Sequence, residues 1–353
     1  MPVFDLPDLF TFTNGQRLTS LAGWPARRQE LMNMILQIEY GQIPPAAPVH
    51  AESLKTHPAN QFGEAQHTRF RLVIATNPQI SFELDLLIPI SDQPRPVVLN
   101  GDACWSYITD EIAQLVLRRG YILATFDRTK IVPDAPDPMR KAGLYAAFER
   151  MDFGALAAWA WGYYRAVDFL LTLPEVDRRH IAITGHSRGG KSVLLAGATD
   201  ERIALTNPND SGCGGTSCYR RQAAGSETLA DILRRFPFWF SPRFSAYLGR
   251  ETELPFDQHS LKALVAPRCL LDTEALGDLW ANPSGAWHTH VAAQVLYGFL
   301  GAEDKIAIWY REGQHEHSLA DFTALLDFTD GQFFGRPLAL RYNQEPAWKE
   351  TGK

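Results

Sequence analysis

The sequence has no run approaching about twenty uninterrupted apolar residues, so nothing in it reads as a membrane-spanning helix. It has no basic excess either. Its 34 Lys+Arg against 40 Asp+Glu give a formal net charge of −6, which leaves no electrostatic footprint for nucleic acid. Cysteine is scarce. Cys104, Cys213, Cys218 and Cys269 form neither metal-ligand spacing nor a disulfide framework, and free thiols are expected ahead of a Cys213–Cys218 pair. No metal or cofactor motif is read, nor any internal repeat or low-complexity tract. The opening residues Met1 to Pro7 lack a basic region and an apolar stretch, so no export signal is read and a cytoplasmic place is expected. What is present is ordinary globular composition: 353 residues, 45% hydrophobic and 21% charged, with nine tryptophans. That is enough for a large core, and one domain over 1–353 is expected.

The most informative stretch is Ile181-Ala182-Ile183-Thr184-Gly185-His186-Ser187-Arg188-Gly189-Gly190-Lys191. An apolar run enters Gly-x-Ser-x-Gly, and Ser192 to Ala198 then reads as a helix. A strand–turn–helix of this kind is a nucleophile elbow, whose glycines relieve crowding around an exposed serine hydroxyl. Roughly 0.1 matches to the pattern are expected by chance in a chain of this length. The bland alternative is a glycine-rich turn with a structural serine. The context points to a serine hydrolase.

Strands alternating with helices are expected on either side of it. Thr68–Ala75 and Ser81–Pro89 alternate as an antiparallel hairpin. Pro96–Leu99, Tyr121–Phe126, His180–Thr184, Ile203–Thr206, Arg268–Asp272 and Lys305–Tyr310 read as strands. Helices are expected over Pro25–Glu39, Thr109–Arg119, Phe153–Leu173, Pro283–Leu300 and Leu319–Thr329. The pattern predicts an α/β-hydrolase fold, with a mostly parallel sheet, helices on both faces and an N-terminal antiparallel hairpin. Residues 1–60 are expected to wrap the domain. Residues 212–256, rich in aromatics, are expected as a helical insertion lining the substrate groove.

In this fold the order is nucleophile, acid, base. Ser187 is the nucleophile candidate. His315, in the loop after the last strand, is the favoured base, with His317 as competitor. Asp278 and Asp210 each follow a strand, and the sequence leaves both open as the acid; either also reads as a turn-capping aspartate. Oxyanion donors are expected from Arg188 and from the loop at Gly101. Lys191 reads as a cleft residue or a solvated lysine. A non-catalytic binding module and a peptidase are the competing classes.

The chain resembles the glucuronoyl esterase family (carbohydrate esterase family 15) and its bacterial acetyl-xylan-esterase-like relatives. The likeness lies in Trp24 to Arg28 with Glu39-Tyr40-Gly41, Gly185 to Lys191, Asn209 to Gly215, Leu254 to His259 and Asp278 to Pro283. It implies Ser187 as nucleophile, His315 as base, and Asp210 and Asp278 at the two positions where members carry the acid. It also implies Arg188 as an oxyanion arginine, Lys191 as a sugar-hydroxyl ligand, Trp280 as an aromatic wall and Glu227 as a polar contact from the insertion. The substrate implied is a small-molecule or oligosaccharide ester, most directly a glucuronate ester, with a sugar acetate as the alternative. One departure is His186, which stands where fungal members carry a disulfide-forming cysteine.

Overall fold

Successive residues of a strand face opposite sides of a sheet, and the central strands here are apolar on both. The computed structural model describes residues 5–348. Among these, nine strands form one sheet: β1 (Val49–Pro58), β2 (Ala65–Ile74), β3 (Ile80–Pro89), β4 (Arg95–Asn100), β5 (Ile122–Phe126), β6 (Val176–His186), β7 (Leu205–Asn209), β8 (Cys269–Ala275) and β9 (Ile306–Arg311). Their order is β1-β2-β3-β5-β4-β6-β7-β8-β9. The pairs β1–β2, β2–β3 and β3–β5 are antiparallel, and every pair from β5 to β9 is parallel.

The helices are α1 (Trp24–Ile35), α2 (Asp110–Arg118), α3 (Gly143–Ala147), α4 (Ala155–Leu170), α5 (Arg188–Thr199), α6 (Leu229–Arg235), α7 (Gln258–Val265), α8 (Pro283–Phe299) and α9 (Leu319–Phe334). Val97, Leu99, Ile122, Ala124, Ile181, Ile183, Leu270 and Ile306 pack into one core with α1, α4, α5, α7 and α8. The residues between them, Val98, Leu123, Ala182, Leu271 and Ala307, pack into a second core with α2 and α9. Alternation of period two thus builds a three-layer α/β-hydrolase. No helix among the described residues is long and apolar enough to cross a membrane.

Several expectations shift. Part of the N-terminal segment enters the sheet, because Val49–Pro58 joins the expected hairpin as a third antiparallel strand. Its largely exposed edge position gives little alternation to read. Of the same segment, residues 1–4 lie outside the described residues. The first helix stops at Ile35 and widens over Leu36–Tyr40 into a π-turn before Gly41. Gly41 has φ +81°, and a Cβ there would meet the backbone of Asp152 and Phe153. The stretch 212–256 holds α6 and several single helical turns. All four cysteines are free. Beyond α9 the chain returns along the outer edge of β9. Asn343 donates its amide to Ile308 O (2.9 Å), and its Oδ1 accepts from Ile308 N (2.9 Å).

Candidate active site

The parallel strands all end at one edge of the sheet, where ligands of open α/β folds bind. Ser187, Asp210, Asp278 and His315 follow β6, β7, β8 and β9 in turn. Ser187 sits between β6 and α5 with φ 54° and ψ −120°, a conformation costly for a residue with a Cβ. It is held by surrounding contacts. Its amide donates to Asn209 O (2.9 Å), and the His186 amide donates to Asp102 Oδ2 (2.8 Å). Only glycine fits at 185 and 189. A Cβ on Gly185 would lie 2.8 Å from the Gly189 backbone, and one on Gly189 would lie 2.2 Å from Asp102 Oδ1. The buried Asp102 carboxylate also pairs with Arg128 (2.9 Å) and accepts from Tyr107 Oη (2.5 Å). Burial, against the pull of Arg128, raises its affinity for a proton.

His315 and Ser187 line one cavity of about 670 Å³, together with Trp105, Tyr107, His186 and His317. His315 Nδ1 is 2.5 Å from Asp278 Oδ2, with the ring 44% exposed and the carboxylate 4%. An imidazole so held has its tautomer fixed and its second nitrogen free to take a proton from a hydroxyl. Asp210 lies close by, since one atom each of Asp210, Asp278 and His315 fall within 4.8 Å of one another. Its oxygens are otherwise engaged, accepting from the Ala275 amide (2.6 Å) and from Arg311 Nη2 (3.0 Å). Burial, and next the nearby Asp321, push its proton affinity well up. His317 is buried against Phe322, and its proton affinity is driven well down, first by burial and then by His186 and Arg311. A histidine so placed is poorly suited to accept a proton.

Arg188 begins α5, where the first amides of a helix have no intrahelical acceptor. Its guanidinium pairs with Asp134 (2.9 Å) and lies over Trp239 (4.5 Å) and Phe236 (4.8 Å) of the insertion. Gly101 corrects the expectation placed on it. Its amide is donated to Tyr163 Oη (2.7 Å), and Tyr163 in turn donates to Thr184 O (3.1 Å), so that N–H braces β4 against β6.

Lys191 is buried rather than solvated. Its Nζ donates to Ser211 O and stands 3.8 Å from Glu227 Oε2. Burial lowers its pKa, and Glu227 acts in the opposite direction. The Glu227 amide donates to Trp280 O (2.9 Å), and the Trp280 ring is 38% exposed with Arg235 over it at 4.9 Å. The three residues therefore converge, although they come from α5, the insertion and the turn after β8.

Two residues escaped the sequence reading. Arg311, the last residue of β9, threads the His315 loop: it donates to the carbonyls of Glu312, Gln314 and Glu316 and to Asp321. Asp134 joins Arg188 to the insertion, because its other oxygen accepts from Trp239 Nε1 (3.0 Å). An arginine directly after the last expected strand, at the head of the histidine loop, was the available signal for the first. Asp134, in an irregular loop, offered none.

The layered sheet with its serine elbow and histidine loop defines a hydrolase of the α/β-hydrolase class. A family model for fungal glucuronyl esterases matches residues 72–301. The 4-O-methyl-glucuronoyl methylesterase 1 of Wolfiporia cocos is 31% identical over 347 residues, covering 94% of this chain and 80% of the relative. A family 15 glucuronoyl esterase from Caldicellulosiruptor kristjansonii superposes with a TM-score of 0.83 at 31% identity, over 98% of this chain and 96% of the other. The Sporotrichum thermophile enzyme, solved in complex with methyl 4-O-methyl-β-D-glucopyranuronate, gives 0.78 at 26% identity, over 94% and 88%. This chain belongs to the glucuronoyl esterase family, carbohydrate esterase family 15.

Proposed function

We propose that this enzyme hydrolyses esters of glucuronic acid through an acyl-enzyme. Ser187 Oγ attacks the ester carbonyl while His315 takes its proton, with Asp278 holding the imidazole and stabilising its cation. The Arg188 amide faces the developing oxyanion, and its guanidinium adds positive charge beside it. Collapse expels the alcohol, which receives the proton from His315. Water then repeats the sequence on the acyl-enzyme and releases the uronic acid. Lys191, Glu227 and Trp280 bind the sugar on the acyl side, offering hydroxyls a donor and an acceptor next to an exposed aromatic face.

The observation that carries this reading is the convergence of Lys191, Glu227 and Trp280 at the same strand edge as the Ser187 elbow and the His315–Asp278 pair. Parallel assays of benzyl glucuronate and an acetylated xylo-oligosaccharide, with Ser187→Ala as blank, test it. Alcohol release from the glucuronate that the mutant lacks is the expected result. Acetate release alone would move the sugar to the leaving-group side and remove the role given to Lys191. No release from either would overturn the substrate assignment.

A further inference from the structure

His186 precedes the nucleophile, and its ring is buried on the wall of the catalytic cavity, 4.3 Å from the ring of His315. Its tautomer follows from its neighbours. Asn209 Nδ2 donates to Thr273 O (3.2 Å), a carbonyl that only accepts. That orientation turns Asn209 Oδ1 toward His186 Nδ1, 2.6 Å away, so Nδ1 carries the hydrogen. The other nitrogen, Nε2, is then a bare acceptor. His315 is arranged in the same sense, with Nδ1 bonded to Asp278. Two imidazoles in contact, both lining the cavity that Ser187 lines, thus each have Nδ1 tied back and Nε2 unprotonated.

From this pairing, and resting on the acyl-enzyme reading above, we infer that His186 places the water that releases the acid. That water has two protons. One passes to His315 Nε2 as its oxygen bonds to the acyl carbon. The other stays on the oxygen and is donated as a hydrogen bond to His186 Nε2. The tetrahedral adduct then expels Ser187 Oγ, which takes the proton back from His315. His186 gains and loses no proton. Burial, and after it the charge on His315, hold its pKa down at about 3, so it does not compete for the proton.

The test uses 4-nitrophenyl acetate, an activated ester whose acylation is fast and needs no sugar subsite. His186→Asn keeps a donor for Asn209 but deletes the Nε2 acceptor, whereas His186→Gln places an amide near the Nε2 position. The Asn variant is expected to lose about tenfold in kcat with kcat/KM nearly unchanged, and to show a nitrophenol burst, as loss of one hydrogen bond in deacylation requires. The Gln variant should recover most of kcat. Added methanol gives a ratio of methyl acetate to acetate that does not depend on how much protein folds. Methanol has a single O–H, which goes to His315, so loss of the second acceptor penalises water alone. The ratio should rise severalfold in the Asn variant and return toward wild type in the Gln variant. An unchanged ratio, or kcat and kcat/KM falling together, would overturn the role of His186. Turnover of the same ester by Ser187→Ala would instead sink the acyl-enzyme reading beneath it.

Discussion

Two carboxylates lie within reach of one imidazole, and their environments divide the work. Asp278 meets His315 directly, whereas Asp210 answers to Arg311 and to the Ala275 amide. Asp278→Asn should therefore lower kcat by on the order of 10³–10⁴, since the asparagine stabilises neither the required tautomer nor the imidazolium. Asp210→Asn should leave kcat within about tenfold and cost about 1–3 kcal/mol of stability, because it weakens the anchor of a buried guanidinium. Steady-state kinetics and urea unfolding on the two variants separate the roles, and a reversed order would mean that the acid sits after β7. The sequence left these aspartates balanced for a physical reason. Both follow strands that end at the same edge, and only the side-chain partners tell them apart. Lys191 was likewise undecided, since its burial depends on Ser211 and Glu227, which reach it from distant parts of the chain.

At the level of elements, the elbow was the most legible part of the chain. Its strand, serine and glycines are contiguous, so local sterics fix them. What the motif does not disclose is the lock on it. The Asp102 carboxylate fills the space left by the missing Gly189 side chain and at once binds the His186 amide, Tyr107 and Arg128. Gly189→Ala is expected to lose about 1–3 kcal/mol in urea unfolding and most of its esterase activity, as overpacking displaces the elbow. Full activity with native stability would mean that Asp102 yields freely. The strands beside the elbow were legible too, through apolar runs bounded by turns. The edge strand β1 was not, because its mostly exposed residues carry no period-two signal. The helix α7, Gln258–Val265, was also missed: all eight residues are buried, the polar Gln258, His259, Ser260 and Lys262 among them, so polarity along the sequence does not mark its buried face.

Across the whole molecule, one buried acid ties distant segments together. Glu39, at the end of the N-terminal helical stretch, accepts from Tyr219 Oη (2.6 Å), inside the insertion, and from Gln258 Nε2 (2.9 Å), just after it. Burial raises its pKa from 4.5 to about 7. Between those values the folded protein keeps a proton that the unfolded chain has lost. Stability from this group is therefore full below pH 4.5 and declines as pH rises to 7, by about 3 kcal/mol in all. Glu39→Gln, which keeps an acceptor and cannot ionise, should flatten that decline. Urea midpoints at about pH 5 and about pH 8 check it, and equal slopes in both proteins would place the proton elsewhere.

The return of the chain along β9 bears on a different property. A parallel sheet stops at its last strand with unpaired amides and carbonyls, a template on which a second molecule can add its own strand. Asn343 occupies that template with both its backbone and its side-chain amide, imitating one rung of a neighbouring strand without supplying a whole one. Asn343 thereby covers this stretch of the β9 edge, which is expected to protect it against strand addition by a second molecule. Asn343→Ala should leave ester turnover near wild type while light scattering at high concentration records larger species. A variant that stays monodisperse would shift that protection to the helix α9 and the residues that follow it.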